Sequence, residues 1–159
     1  MKLKYITWIP AVVMMVLIFW FSSKQADDSN NSSLKIANKV LSIYETITHH
    51  KYYEEEKVTI LNEINHIVRK TAHFCEYALL SFLFAFHIWV ISIRNKRLFL
   101  IPILLSFLYA SFDEFHQTFV SGRAGMFRDV LLDSAGAATG SLFFTLLIIL
   151  FINKAHKKH

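Results

Sequence analysis

Between Ala110 and Gly140 the chain reads ASFDEFHQTFVSGRAGMFRDVLLDSAGAATG, which sets Asp113, Glu114, His116, Gln117, Arg123, Arg128, Asp129 and Asp133 between two segments apolar enough to sit in lipid. Charged side chains are costly in that setting and usually mark a site. The composition agrees: 54% of residues are hydrophobic, with 15 Phe but only 4 Gly and 2 Pro, which makes a bilayer the natural solvent. A net charge of +5 does not point to nucleic acid, because no basic run is interleaved with stacking aromatics or laid out as a groove-reading helix. The expected partners are membrane lipids. A lone cysteine, Cys75, excludes an intrachain disulfide and reads as a small buried hydrophobe.

Apolar runs predict an all-α polytopic fold of one domain with spans at about 5–21, 71–93, 98–119 and 129–152. The run YITWIPAVVMMVLIFWF follows Lys2 and Lys4, is about the minimum length for a crossing, and lacks the small-residue cleavage pattern of a signal peptide. The polar stretch SSKQADDSNNSS then takes the chain out of the apolar phase. Apolar residues recur at helical spacing at Leu34, Ala37, Leu41, Tyr44 and Ile47, and again at Val58, Leu61, Ile64 and Ile67 after Glu54, Glu55 and Glu56. Two amphipathic helices are therefore expected at about 33–48, capped by Ser32 or Ser33, and 57–69, covering the bundle or lying in the interface.

Basic residues predict orientation. Four spans give one face Lys2, Lys4, Arg94, Lys96, Arg97, Lys154, Lys157 and Lys158 with no acidic residue, so both termini are expected in the cytoplasm and the loop around Gly122 outside.

Depth and helical phase gather the polar residues. Counted at ~1.5 Å per residue from the outer span ends, Glu76, Asp113 and Asp133 lie roughly 7 to 10 Å deep. His73, Glu76 and Tyr77 stand at i, i+3 and i+4, as do Asp113, His116 and Gln117, so each set shares a helix face. Asp129, Asp133, Gly136 and Gly140 share another, and the Gly136/Gly140 pair lets a neighbouring helix approach closely. One outward-opening pocket is expected, with Arg123 and Arg128 at its rim.

In VRKTAHFCEYALLSF (68–82), SFDEFHQTFVSGRAGMFRDVLLDSAGAATG (111–140) and FWFSSKQ (19–25), the chain resembles the VanZ-like membrane proteins, named after a protein associated with low-level teicoplanin resistance in bacteria. The resemblance covers the polar half of the chain and carries little of residues 34–65; Ser121 stands where many relatives have proline. It implies a cell-envelope role in the bacterial cytoplasmic membrane and reduced glycopeptide susceptibility, with a lipid-linked envelope precursor or a glycopeptide as partner. It implies no reaction, so enzyme and binding module both stand.

Three chemistries fit these residues. The first is structural, with Arg123 or Arg128 paired to Asp129 or Glu114 and a histidine bonded to Asp113 or Glu76. The second is a metal-dependent hydrolase, in which His73, Glu76, Asp113 and His116 hold Zn²⁺ or Mn²⁺, although HEXXH is absent. The third binds or modifies an anionic lipid: Arg123 and Arg128 clamp a phosphate, and His73 or His116 serves as general acid or base with Glu76 or Asp113 fixing its tautomer. In that reading Glu114 and Asp133 are further catalytic candidates, and Gln117, Asp129 and Tyr77 contact the ligand.

Overall fold

The computed structural model describes residues 2–24 and 26–156, and all regular structure among them is helical. The orienting residues Lys157 and Lys158 lie outside the described residues, as does Gln25. Five α-helices follow a 3-10 turn at Lys2–Tyr5: α1 Ile9–Ser22, α2 Ala26–Thr48, α3 Glu54–Val90, α4 Lys96–Gln117 and α5 Phe127–His156.

Two boundaries differ from the sequence reading, each for a local reason. The first apolar run does not form one helix from Tyr5. α1 starts at Ile9 because Pro10, which lacks an N–H and clashes with a preceding turn, is accommodated only in the first turn of a helix. Its 14 residues reach about 21 Å, short of a bilayer core, whereas α3, α4 and α5 are each long and apolar enough to cross one. Second, the amphipathic segment 57–69 and the apolar segment 71–93 are one uninterrupted helix. No Gly or Pro occurs between Glu54 and Val90, and Glu54, Glu55 and Glu56 supply the acidic first turn that a helix N-terminus favours. α2 likewise begins before Ser32, and Ser33 donates to the Asn30 carbonyl within the helix instead of capping it.

α3 has 37 residues, so the part before Thr71 extends roughly 25 Å beyond the apolar part. α2 packs antiparallel along this extension. An Asn65 to Asn30 side-chain hydrogen bond joins one end and a 3.3 Å Lys57–Glu45 ion pair the other, with Ala37 and Leu41 buried between them. Tyr44, Ile47, Val58 and Ile67 are exposed, so only part of each apolar stripe is used.

α3, α4 and α5 form the bundle, with α1 laid against α3 and α4. α5 lies closest to α3. A Cβ on Gly136 would run into the Phe74 carbonyl and one on Gly140 into the Ala78 carbonyl, so the two backbones touch where these glycines stand. At one level Tyr77, Leu80, Ala110 and Val130 pack with Ala11 and Ile18 of α1; at the other, Phe82 meets Phe144 edge-on at 5.1 Å beside Ala85, Ile88 and Leu98. The outside is apolar, with Leu104, Leu108, Phe112, Phe115, Phe143 and Leu150 all exposed. Inside, Ser81, Ser106, Asp113, Asp133 and Ser141 are buried. An apolar exterior around a polar interior suits a membrane, because hydrocarbon leaves polar groups nowhere to bond except within the protein.

Candidate functional site

The polar residues collect at the end of the bundle from which the α2–α3 hairpin projects. Asp113, wholly buried on α4, is the centre. Its Oδ2 accepts 2.7 Å from the Ser22 hydroxyl at the end of α1 and 3.1 Å from Gln117 Nε2 one turn further along α4. Its Oδ1 has no hydrogen-bond partner. Next to it Glu114 accepts the Met126 N–H at 2.9 Å, and Gly125 makes that turn possible, since any Cβ there would strike the Glu114 carbonyl. On α5, Asp133 is 1% exposed and neither of its carboxylate oxygens is bonded. It lies within electrostatic reach of Glu114, Asp113 and Asp129. Tyr77 of α3 is fully buried with an unpartnered hydroxyl, within electrostatic reach of Asp113 and Asp133.

Above this acidic layer opens a cleft of about 290 Å³. Its lining includes Arg69, Lys70, His66 and His73 from α3, Glu114 and Gln117 from α4, Arg123 from the α4–α5 loop and Asp129 from α5. Lys70 and Asp129 are ion-paired. His73 Nδ1 stands 3.7 Å from Glu76 Oε2, beyond hydrogen-bond length. Arg123 reaches the Phe21 carbonyl with one terminal nitrogen at 3.4 Å while its Nε is buried and unpartnered. Burial, and after it the Arg69 charge, pull Arg123 below the usual guanidinium value, and Asp113, Glu114 and Glu76 pull it back. It stays a cation, as guanidinium does in proteins.

The helical triplets expected to act together are divided. Asp113 and Gln117 turn inward and bond, whereas the His116 ring packs against Phe19 of α1 at 4.5 Å, apart from the cleft. His73 lines the cleft with Glu76 beside it, and Tyr77 lies beneath. Arg128 is exposed and borders a neighbouring depression with His66 and Lys70, while Arg123 occupies the cleft proper. Among the described residues no three His, Cys, Asp or Glu side chains are placed to hold one metal ion, so His73, Glu76, Asp113 and His116 are not gathered as a ligand set. Cys75 is exposed rather than buried, because the face of α3 one residue before Glu76 points out of the bundle.

Arg69, Lys70, His66 and Ser22 join the site although the sequence patterns do not single them out. The first three continue the His73–Glu76 face backwards by one and two turns, a stripe visible only when α3 is not cut at residue 70. Lys70, not an arginine, is the partner of Asp129.

A family model described as VanZ/LLP1 matches residues 7–150 of the chain. Among curated proteins and among solved structures, none matches it.

Proposed function

The chain belongs to the VanZ/LLP1 family, and from that membership and the cleft we propose that it is an envelope protein recognising an anionic, lipid-linked ligand and thereby lowering glycopeptide susceptibility of the teicoplanin type. In this reading α1 with the turn before it, α3, α4 and α5 make four passes through a bacterial cytoplasmic membrane. Both termini are cytoplasmic, and the α2–α3 hairpin and the cleft face outward.

The observation that carries the reading is the convergence of Arg69, Lys70 and Arg123 on one cleft where apolar helices give way to polar ones. That is the headgroup level of a bilayer spanned by these helices. Guanidinium groups match phosphate oxygens there. His73, which lines the same cleft with Glu76 beside it, can move a proton at a bound phosphate ester. No activated nucleophile accompanies it in the cleft lining, which favours recognition over covalent catalysis.

The test is single replacement of Asp113→Asn, Glu114→Gln, Arg123→Gln and Asp133→Asn in a host whose teicoplanin susceptibility depends on this protein. Each variant's membrane level is measured alongside. Loss of the phenotype with the protein still present supports the site; four variants with wild-type behaviour defeat it. Release of phosphate from lipid-linked phosphates by purified protein would make it an enzyme instead of a binding module.

A further inference from the structure

Unmet groups of both charges lie in the cleft and in a layer one helical turn deeper, where Tyr77, Asp113 and Asp133 stand four residues from the cleft-lining His73, Gln117 and Asp129. In the cleft wall the buried Nε of Arg123 has no partner. One turn deeper along α4 and α5 are three unpartnered, buried carboxylate oxygens: both of Asp133 and Oδ1 of Asp113. The Tyr77 hydroxyl, within electrostatic reach of both acids, is buried and unpartnered too. Lys70 and Glu114 are served, by Asp129 and by the Met126 N–H. Buried polar atoms are nearly always hydrogen-bonded, so a run of exceptions at one place calls for an occupant.

Resting on the reading that the cleft receives an anionic, phosphate-bearing ligand, we infer that its headgroup also carries a cation, a primary ammonium group a short linker away from the phosphate. The phosphate lies against Arg69 and Arg123, and the ammonium reaches Asp133 and Asp113 Oδ1 with the Tyr77 hydroxyl alongside. A simple phosphate leaves the acidic layer unanswered and is repelled by it. A metal ion is a poorer match for the lower layer, where no three ligating side chains are grouped among the described residues. A primary ammonium carries three N–H donors on a compact charge, and the layer offers three free carboxylate oxygens. A quaternary ammonium has the charge without the donors, and a glycerol headgroup has donors without the charge.

Binding of short-chain phosphatidylethanolamine, phosphatidylglycerol and phosphatidylcholine to the purified full chain in detergent tests this by titration calorimetry. The ethanolamine lipid should bind at least about tenfold tighter than the other two, the size of one charge-assisted hydrogen bond to a buried group. Asp133→Asn should abolish the preference for the ethanolamine lipid over the glycerol lipid, and Asp113→Asn should do so in part. Arg123→Gln should weaken both. Equal or weaker binding of the ethanolamine lipid by the wild type overturns the inference, as does a folded Asp133→Asn protein that keeps the preference. Because wild-type selectivity decides by itself, a variant that fails to fold does not shelter the idea. If the glycerol lipid binds through Arg123 and no preference exists, the zwitterion falls and the phosphate site stands; if none of the three binds, both fall. Competition by soluble phosphoethanolamine supports a site for the headgroup chemistry alone, and binding of the lipid without such competition supports the lipid as its source.

Discussion

The Ser22 hydroxyl at the end of α1 donates to Asp113 Oδ2 on α4, a 2.7 Å bond that ties the shortest apolar helix to the most buried acid of the site. The same oxygen takes a second donor, Gln117 Nε2, at 3.1 Å. The two donors therefore back each other up.

Ser22→Ala alone should cost about 1 kcal/mol, less than a bond to a charged group usually contributes, because Gln117 remains. Gln117→Ala should cost a similar amount. The double variant should lose more than the sum, since the oxygen then has no partner in a site closed to water. Unfolding of the purified variants in detergent measures this, and strict additivity would show that the bonds do not share the load.

Gly136 and Gly140 invert the usual effect of alanine in a helix. At an ordinary interior position Gly→Ala stabilises by roughly 0.5 to 1 kcal/mol. Here the added Cβ meets the carbonyl of Phe74 or Ala78, and neither backbone can yield without moving a whole helix. Gly140→Ala should destabilise by about 1 to 3 kcal/mol, as overpacking does, and Gly136→Ala similarly. A rise in thermal midpoint for either would mean that α5 does not lie on α3 at that point.

How much of this was legible in the sequence depends on which signal each residue carried. The apolar segments, the Gly136/Gly140 face and the acids Asp113 and Asp133 could be read because spacing and polarity in an apolar setting are local properties. The unity of α3 was missed because the hydropathy changes at residue 70 while the helix does not. Nothing in the sequence at Lys70 breaks a helix, and only a change of solvent occurs there. That cut also hid Arg69, Lys70 and His66, which belong to the His73 stripe. His116 shows the converse limit: helical phase puts it within one turn of Asp113, yet about 100° around the helix per residue leaves room for a neighbour such as Phe19 to claim its ring. Pairings across distant segments, Ser22 with Asp113 or Lys70 with Asp129, leave no local trace at all.

The continuity of α3 and the proposed orientation make a labelling prediction. In a Cys75→Ser background, a cysteine at Val58 or Ile67, both exposed on the hairpin, should react with a membrane-impermeant maleimide added to intact cells. A cysteine at Leu79, exposed on the apolar part of the same helix, should not. Reaction at Val58 only after the cells are opened would reverse the orientation.

Lys70 and Asp129 make the sharpest contrast between stability and binding. Both side chains are partly exposed, 30% and 22%, so their ion pair should contribute less than about 1 kcal/mol to folding. Its larger effect is on the cleft, where Asp129 engages one of the cations that would otherwise meet a phosphate. Asp129→Asn keeps the shape and releases Lys70, and should tighten phosphatidylglycerol binding by about three- to tenfold, the order of one added charge at a partly screened site. Lys70→Gln should weaken it by a comparable factor, and high salt should shrink both changes because the contacts are open to solvent. Opposite shifts in affinity with near-equal thermal midpoints would place the pair at the ligand. If both variants shift affinity the same way, or both unfold early, the pair serves the fold and the cations of the cleft are not what draws the anion.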